Sequence, residues 1–308
     1  MLARLFITIG IFIGLIFGVY WAYDASRLYV FQSGFTGSYT YNLLFESATW
    51  VIPVSILLGI LIGAFAKGKQ DSYIEDGKVL RHDETMFFQH WSHAIATLLL
   101  IGTGICLGLL FLPRFLTNSQ DIGFVINLHF IGASLFLFTV FFHVTKNILT
   151  GEIEENMPKA HDIPEAIAHY KAMLGFGKQP DEGKYLASER LSYPAWGVIV
   201  AGIILSGLIK VSAYIWDMPE GLMALGTLIH GLCTFGIMGL LIVHVIAGAL
   251  IPPSWPLIKS MITGYVTEDY VKVHHVKWYK QIKDNKKQII DESLEVVQNN
   301  DKTPTISN

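Results

Sequence analysis

Charge is scarce in this sequence. Asp, Glu, Lys and Arg supply 15% of the 308 residues, against about a quarter in ordinary soluble domains. The net charge is −3, so the basic footprint of a nucleic-acid-binding protein is missing. Cysteine is scarcer still. Cys106 and Cys233 are the only two, both lie in apolar stretches, and both are expected as buried packing residues. No C-x-x-C-H run occurs, which argues against covalently attached c-type haem. Internal repeats are also lacking.

Long apolar runs are what the chain has instead. Hydrophobic residues make up 52% of it, and mean hydropathy is +0.45. Six stretches reach spanning length, near 3–23, 48–66, 86–112, 124–148, 194–216 and 222–252, at about 20 residues per span. The first is read as an uncleaved anchor. MLAR is a thin charged region, and the apolar run continues through IFIGLIFGVYW with no small-x-small cleavage site. The predicted fold is an all-α integral membrane helical bundle.

Cations orient that bundle. Lys67, Lys69, Lys78 and Arg81 fall in the link 67–85, and Lys159, Lys171, Lys178, Lys184 and Arg190 in the link 149–193. The region after 258 is also Lys-rich, whereas 24–47 holds only Arg27, 113–123 only Arg114, and 217–221 none. With six spans, every basic segment lies on one side, so both termini are expected in the cytoplasm. The polar stretch from about Asp284 to Asn308 reads as a mobile tail.

Histidines carry the chemistry. His230 and His244 are fourteen residues apart in one apolar run, LIHGLCTFGIMGLLIVHVIAGAL. That is about 21 Å of rise and nearly four turns, so both rings share a face near opposite edges of the bilayer. Imidazoles in hydrocarbon need partners and mark functional sites. Two such rings suggest two haems, one near each surface. Axial ligation needs two rings at one depth. His129, opening the fourth span, matches His230 in the outer layer. In the inner layer His244 has three candidate partners, His90, His93 and His143. His93 follows His90 by three residues and does not share its direction fully. His161 and His169, in the 149–193 link, read as solvated. Gly102, Gly104, Gly108, Gly132, Gly231 and Gly236 suit either a macrocycle or close helix packing.

These residues carry a resemblance. From about Arg81 to Ile282 the chain resembles the cytochrome b (gamma) subunit of respiratory formate dehydrogenases. The matching stretches are FFQHW (87–91), NLHFIGA (127–133), GKY (183–185), the LIHG…LIVH pair (228–244) and HHVKWYKQI (274–282). The fourteen-residue pair followed by HHVKWYK is the specific element. The resemblance implies a four-helix dihaem cytochrome b core (67–258), with an N-terminal two-helix extension (1–66) and a cytoplasmic C-terminal tail (259–308). It implies an outer haem b between His129 and His230 and an inner haem b between His90 and His244. It implies electrons arriving from a periplasmic iron–sulfur subunit and leaving to menaquinone near His244, in a bacterial inner membrane. Oxidation would occur in a molybdenum or tungsten catalytic subunit, since no segment here resembles such a domain. Two departures stand out. Residues 1–66 exceed the four-span core, and His143 has no counterpart; it is a candidate contact for a haem or the quinone. Cytochromes b of nickel–iron hydrogenases or other molybdoenzymes share the haem layout and are the alternative. A non-haem transporter using the histidines for protons or metal is the more distant one.

Weaker candidates complete the reading. Asp83 and Glu84 either relay protons to quinone or start a helix. Arg81, Lys184 and Arg190 either meet haem propionates or a partner, or serve as positive-inside anchors. Trp91, Trp196 and Trp255 suit interface belts, and the HHVKWYK tail either covers the inner site or anchors at headgroups. Orientation is directly testable. Green fluorescent protein fused after Asn308 is expected to fluoresce, while alkaline phosphatase fused there stays inactive and becomes active when placed at Pro219. The reverse pattern would invert the assignment.

Overall fold

The fold is taken from a computed structural model, which describes residues 2–31, 39–66, 68 and 72–287. Of the polar stretch read above as a mobile tail from about Asp284, residues 284–287 are helical and 288–308 lie outside the described residues. α1 (Leu2–Arg27) is one unbroken apolar helix. A hairpin of β1 (Tyr29–Phe31) and β2 (Tyr39–Tyr41) follows, with Val30 opposite Thr40. Then come α2 (Leu44–Ser47) and α3 (Val51–Phe65). Pro53 accounts for the break between them, because its ring lacks an N–H and obstructs the helical bond to Thr49.

A tight hairpin of β3 (Ile74–Glu75) and β4 (Lys78–Leu80) turns through Asp76 and Gly77, both at positive φ, into α4 (Glu84–Leu107). Asp83 caps α4 by accepting from the Met86 N–H at 2.7 Å, and Glu84 lies 3.6 Å from Arg4. These contacts fit a helix start. Gly108, at φ +98°, ends α4 five residues before the expected limit of 112. α5 (Ser119–Thr150) begins at an Asn118 cap, five residues earlier than expected, so His129 sits ten residues inside it rather than at its opening. The 149–193 link contains α6 (Ile153–Asn156) and α7 (Asp162–Met173). α8 (Ala187–Ser212) starts before Pro194 because Glu189 accepts the Leu186 N–H at 2.8 Å and secures the first turn. α9 (Glu220–Val245) loosens after His244 into a π turn over Ile246–Leu250 ahead of Pro252. α10 (Trp255–Thr263), β5 (Tyr265–Thr267) and α11 (Glu268–His274) follow, and a further helix covers 276–287.

α1, α4, α5, α8 and α9 are long and apolar enough to cross a membrane. The chain is a multi-pass membrane protein. The second expected span is shorter: the 15 residues of α3 rise about 22 Å, less than a bilayer core of about 30 Å. It nevertheless packs along α5. A Cβ on Gly59 would lie 3.1 Å from the Phe142 nitrogen, and one on Gly63 2.8 Å from the Phe142 oxygen. Only glycine permits that approach. α4 packs along α5 and α8 along α9, while α1 lies against both α4 and α5. The extension is locked by Asn127, fully buried on α5. Its side chain accepts from the Leu44 N–H at 2.8 Å and donates to the Ala22 and Asn42 carbonyls. Phe130 completes the contact, meeting Phe45 edge-on at 5.1 Å and Trp21 at 6.2 Å.

At the opposite end of the helices a small extramembrane core forms around Val79, Val266, Val271, Trp278 and Ile282. β4 pairs antiparallel with both β3 and β5, with Val79 opposite Val266. Arg4, near the N-terminus, donates to the Ile262 and His82 carbonyls at 3.0 and 2.6 Å. The start of α1 therefore meets α10 and the segment before α4 at the basic end of the bundle. The HHVKWYK stretch docks on the 149–193 link. His275 bonds Gly183 O through Nδ1 at 2.6 Å, the Lys277 N–H reaches Glu182 O at 3.0 Å, and Arg81 lies 5.5 Å over Trp278. His161 is exposed as expected, but the side chain of His169 is only 12% exposed, 3.7 Å from the buried Glu182. The docked tail encloses it, a long-range contact outside the reach of link composition. Cys106 and Cys233 are half-buried rather than fully buried.

Burial, then the nearby Arg81 cation, lowers the pKa of His275 from 6.5 to about 3. The unfolded or undocked ring binds the proton first, so this contribution is fully present above pH 6.5 and is lost as pH falls toward 3. Trypsin cleavage after Lys277 and Lys280, divided at each pH by the cleavage rate of an unstructured peptide of the same sequence, is accordingly expected to accelerate several-fold between pH 7.5 and 5.5. His275→Gln should flatten that dependence. A rate independent of pH in the parent protein would contradict the docking role.

Candidate functional site: two facing histidine pairs

α4, α5, α8 and α9 each carry polar side chains into the space between the α4–α5 and α8–α9 pairs. His129 on α5 faces His230 on α9, with ring centroids 6.4 Å apart and planes inclined by 59°. His90 on α4 faces His244 on α9 at 6.3 Å and 47°. Two imidazole nitrogens each about 2.0 Å from one metal, plus about 1.2 Å from nitrogen to ring centre, require a centroid separation of about 6.4 Å. Both pairs have that spacing. The fourteen-residue spacing of His230 and His244 sets the two levels about 21 Å apart along α9.

Hydroxyl groups fix the tautomers of the first pair. Thr103 on α4 donates its hydroxyl to Leu99 O at 2.7 Å and stands 2.8 Å from His129 Nδ1. With its proton committed, Thr103 Oγ1 accepts, so Nδ1 of His129 carries hydrogen and Nε2 presents a lone pair. Ser206 on α8 repeats the arrangement. It donates to Gly202 O at 2.7 Å and accepts from His230 Nδ1 at 3.2 Å. Outer partners of this kind orient a ligating imidazole and raise its basicity. Thr103 and Ser206 had no signal in the sequence, because a threonine or serine in an apolar helix usually bonds its own backbone.

The other two inner-layer histidines point elsewhere. His93 meets Thr139 Oγ1 at 2.9 Å through Nδ1 and stacks on Phe136 at 4.8 Å. His143 is held by Tyr193 OH at 3.0 Å from Nε2 and by the Asn147 amide. His90 is the ring set opposite His244. Trp91, edge-on to His90 at 5.3 Å, bonds Met261 O at 3.4 Å, which ties α10 over this level.

A cavity of about 370 Å³ opens between the four helices at the His129–His230 level. Gly104, Gly108 and Gly231 line it, whereas Gly132 is pressed on Leu100 and Gly236 on Ile199. Gly104 leaves open room, whereas Gly231 lines the cavity and is also closely packed, since a Cβ there would lie 2.6 Å from Leu110 Cγ.

A family model for prokaryotic cytochrome b561 matches residues 81–264, which hold all four facing histidines and α4 through α10. The chain belongs to this cytochrome b561 family. The match leaves out α1, α2 and α3 and the docked HHVKWYK tail. The cytochrome b556 subunit of the nitrate-inducible formate dehydrogenase of Escherichia coli is 25% identical over 202 residues, covering 63% of this chain and 86% of that protein. The formate dehydrogenase cytochrome b556 subunit of Haemophilus influenzae is 21% identical over 214 residues, covering 67% and 84%. Membership in a cytochrome b family implies haem b. The residues present fit that cofactor on three counts: paired imidazoles at metal-bridging distance, Nδ1 atoms already bonded at the His129–His230 pair, and a largely apolar cavity between them.

The remaining sequence candidates have other partners. Arg190 grips Asp162 bidentately, Nε to Oδ2 at 2.9 Å and Nη2 to Oδ1 at 2.5 Å, and braces the 149–193 link. Hydrogen bonding to that guanidinium holds the Asp162 carboxyl below its usual range. Lys184 lies over Tyr185 at 5.6 Å, with its pKa lowered by burial. Trp255 is exposed and bonds Ala249 O at 3.0 Å, in keeping with an interface position.

Proposed function

We propose that this chain is the membrane-anchoring dihaem cytochrome b subunit of a formate dehydrogenase complex. It would carry electrons from an iron–sulfur partner at the outer surface to menaquinone at the basic, cytoplasmic end in a bacterial inner membrane. The observation that carries the reading is the pair of facing imidazoles at 6.4 and 6.3 Å, at two levels of one four-helix bundle. The names of the curated relatives add formate dehydrogenase. Oxidation of formate would belong to a separate molybdenum or tungsten subunit.

In this reading His129 and His230 hold the outer haem b, and His90 and His244 the inner. Haem b supplies a one-electron couple, and bis-histidine ligation favours electron transfer over oxygen chemistry because it leaves no open iron position. The chain's own part is positional. Thr103 and Ser206 would keep Nε2 of His129 and His230 free to ligate, and the 21 Å between levels would put one site near each surface. His143, tied to Tyr193 at the basic end, remains a candidate contact for the inner haem or the quinone.

Pyridine haemochrome quantitation of the purified chain is expected to give about two haems b, and reduced-minus-oxidised spectra of His129→Ala and His244→Ala should each lack a different one. Absence of haem from the parent protein would overturn the reading. Thr103→Val should weaken haem affinity at the outer site by about tenfold to a hundredfold, visible as substoichiometric haem after washing; full retention would remove the orienting role. Reduction of the haems by formate, and not by hydrogen, in the complex purified from its native membrane would separate formate dehydrogenase from the hydrogenase alternative.

A further inference from the structure

The cavity at the His129–His230 level has a charge pattern that metal ligation leaves unused. Its walls are mainly apolar, formed by side chains such as Ile101, Leu137 and Ile204. Among the described residues, its charged lining groups are Lys210 and Arg114, both positive, and no Asp or Glu lines it. The two cations share one rim. Ser206 bonds His230, and a Cβ on Gly207 would lie 3.4 Å from His230 Cε1, so these residues mark the imidazole level on α8. Lys210 stands three residues beyond Gly207, about 5 Å further toward the α8–α9 turn. Its Nζ lies 3.3 Å from Thr227 Oγ1, and Thr227 precedes His230 by three residues in the same outward direction. Arg114 follows the glycine that ends α4, with Nε on Leu107 O at 3.2 Å.

Two like charges on the rim of an apolar cavity repel one another and call for an anion. Haem b is an apolar disc with both of its carboxylates on one edge. We propose that Lys210 and Arg114 anchor those two carboxylates, so that the ring enters the cavity with its charged edge toward the α8–α9 turn. The inference rests on the assignment of His129 and His230 as ligands. It gives Lys210 and Arg114 a second effect. Positive charge at the rim favours the reduced state, which carries one more electron, and so raises the midpoint potential of this haem.

The test uses the full-length chain in detergent, carrying His90→Ala so that the outer haem is read alone. Lys210→Met and Lys210→Met/Arg114→Met are compared with Lys210→Arg. The readouts are the rate of haem transfer to excess apomyoglobin and the midpoint potential from redox titration. The double variant is expected to lose haem about tenfold faster or more, as for loss of charge-assisted hydrogen bonds, and its potential should fall. The single variant should shift the same way by less, and Lys210→Arg should behave like its parent. The single substitution at a half-buried rim position also serves if the double variant fails to fold. Unchanged transfer rate and potential in Lys210→Met would overturn the anchor while leaving the ligands in place. If the His90→Ala protein binds no haem, or keeps it when His129→Ala is added, the ligand assignment fails and this inference falls with it.

Discussion

The structure depends on four imidazoles that face one another in two pairs across the gap between the α4–α5 and α8–α9 pairs. A neutral ring in hydrocarbon is costly unless its nitrogens have partners. At the His129–His230 level the Nδ1 atoms are bonded to Thr103 and Ser206, whose own protons go to the preceding helical turn. That arrangement uses one helix from each pair to aim a ring on its neighbour: α4 aims His129 on α5, and α8 aims His230 on α9. The gap between the two helix pairs is thereby held at the width that one metal atom spans.

The rest of the fold supports this gap from outside it. α5 carries His129 and is also the helix that the N-terminal extension covers. Gly59 and Gly63 let α3 lie directly on its backbone, and Asn127, two residues from His129, locks Leu44 and the end of α1. α1, α2 and α3 lie outside the matched family core, yet they brace the helix on which His129 sits. At the basic end, Arg4 bonds the carbonyls of His82 and Ile262, and the His275–Trp278 segment docks beside Arg81. The segment leading into α4 and His90 is clamped between Arg4 and the docked 275–278 segment.

Much of this was legible in the residues because a bilayer imposes simple rules. Length and hydropathy located the long helices, and cation placement put the N-terminus and the region after 258 at one end, where Arg4 and Ile262 meet. Boundaries moved where local chemistry overrode hydropathy. Gly108 stops α4 early, Asn118 starts α5 early, and Pro53 divides what hydropathy reads as one span. The site was partly legible. The fourteen-residue spacing on α9 gave two levels, and depth matched His129 with His230. Depth left His90, His93 and His143 as candidates opposite His244, and only the family resemblance singled out His90.

The sequence by itself determined the class of molecule, the number of histidine levels and their separation, since helical rise and bilayer thickness are functions of residue count alone. Which inner histidine faces His244 was a tertiary decision. It depends on how α4 is rotated about its axis, and that rotation is set by packing on α5, with His93 drawn to Thr139 and Phe136 and His143 to Tyr193. The roles of Thr103, Ser206, Lys210 and Arg114 were decided the same way. A hydroxyl or a cation has no fixed meaning along the chain, and acquires one only from the group that another helix brings within hydrogen-bonding distance.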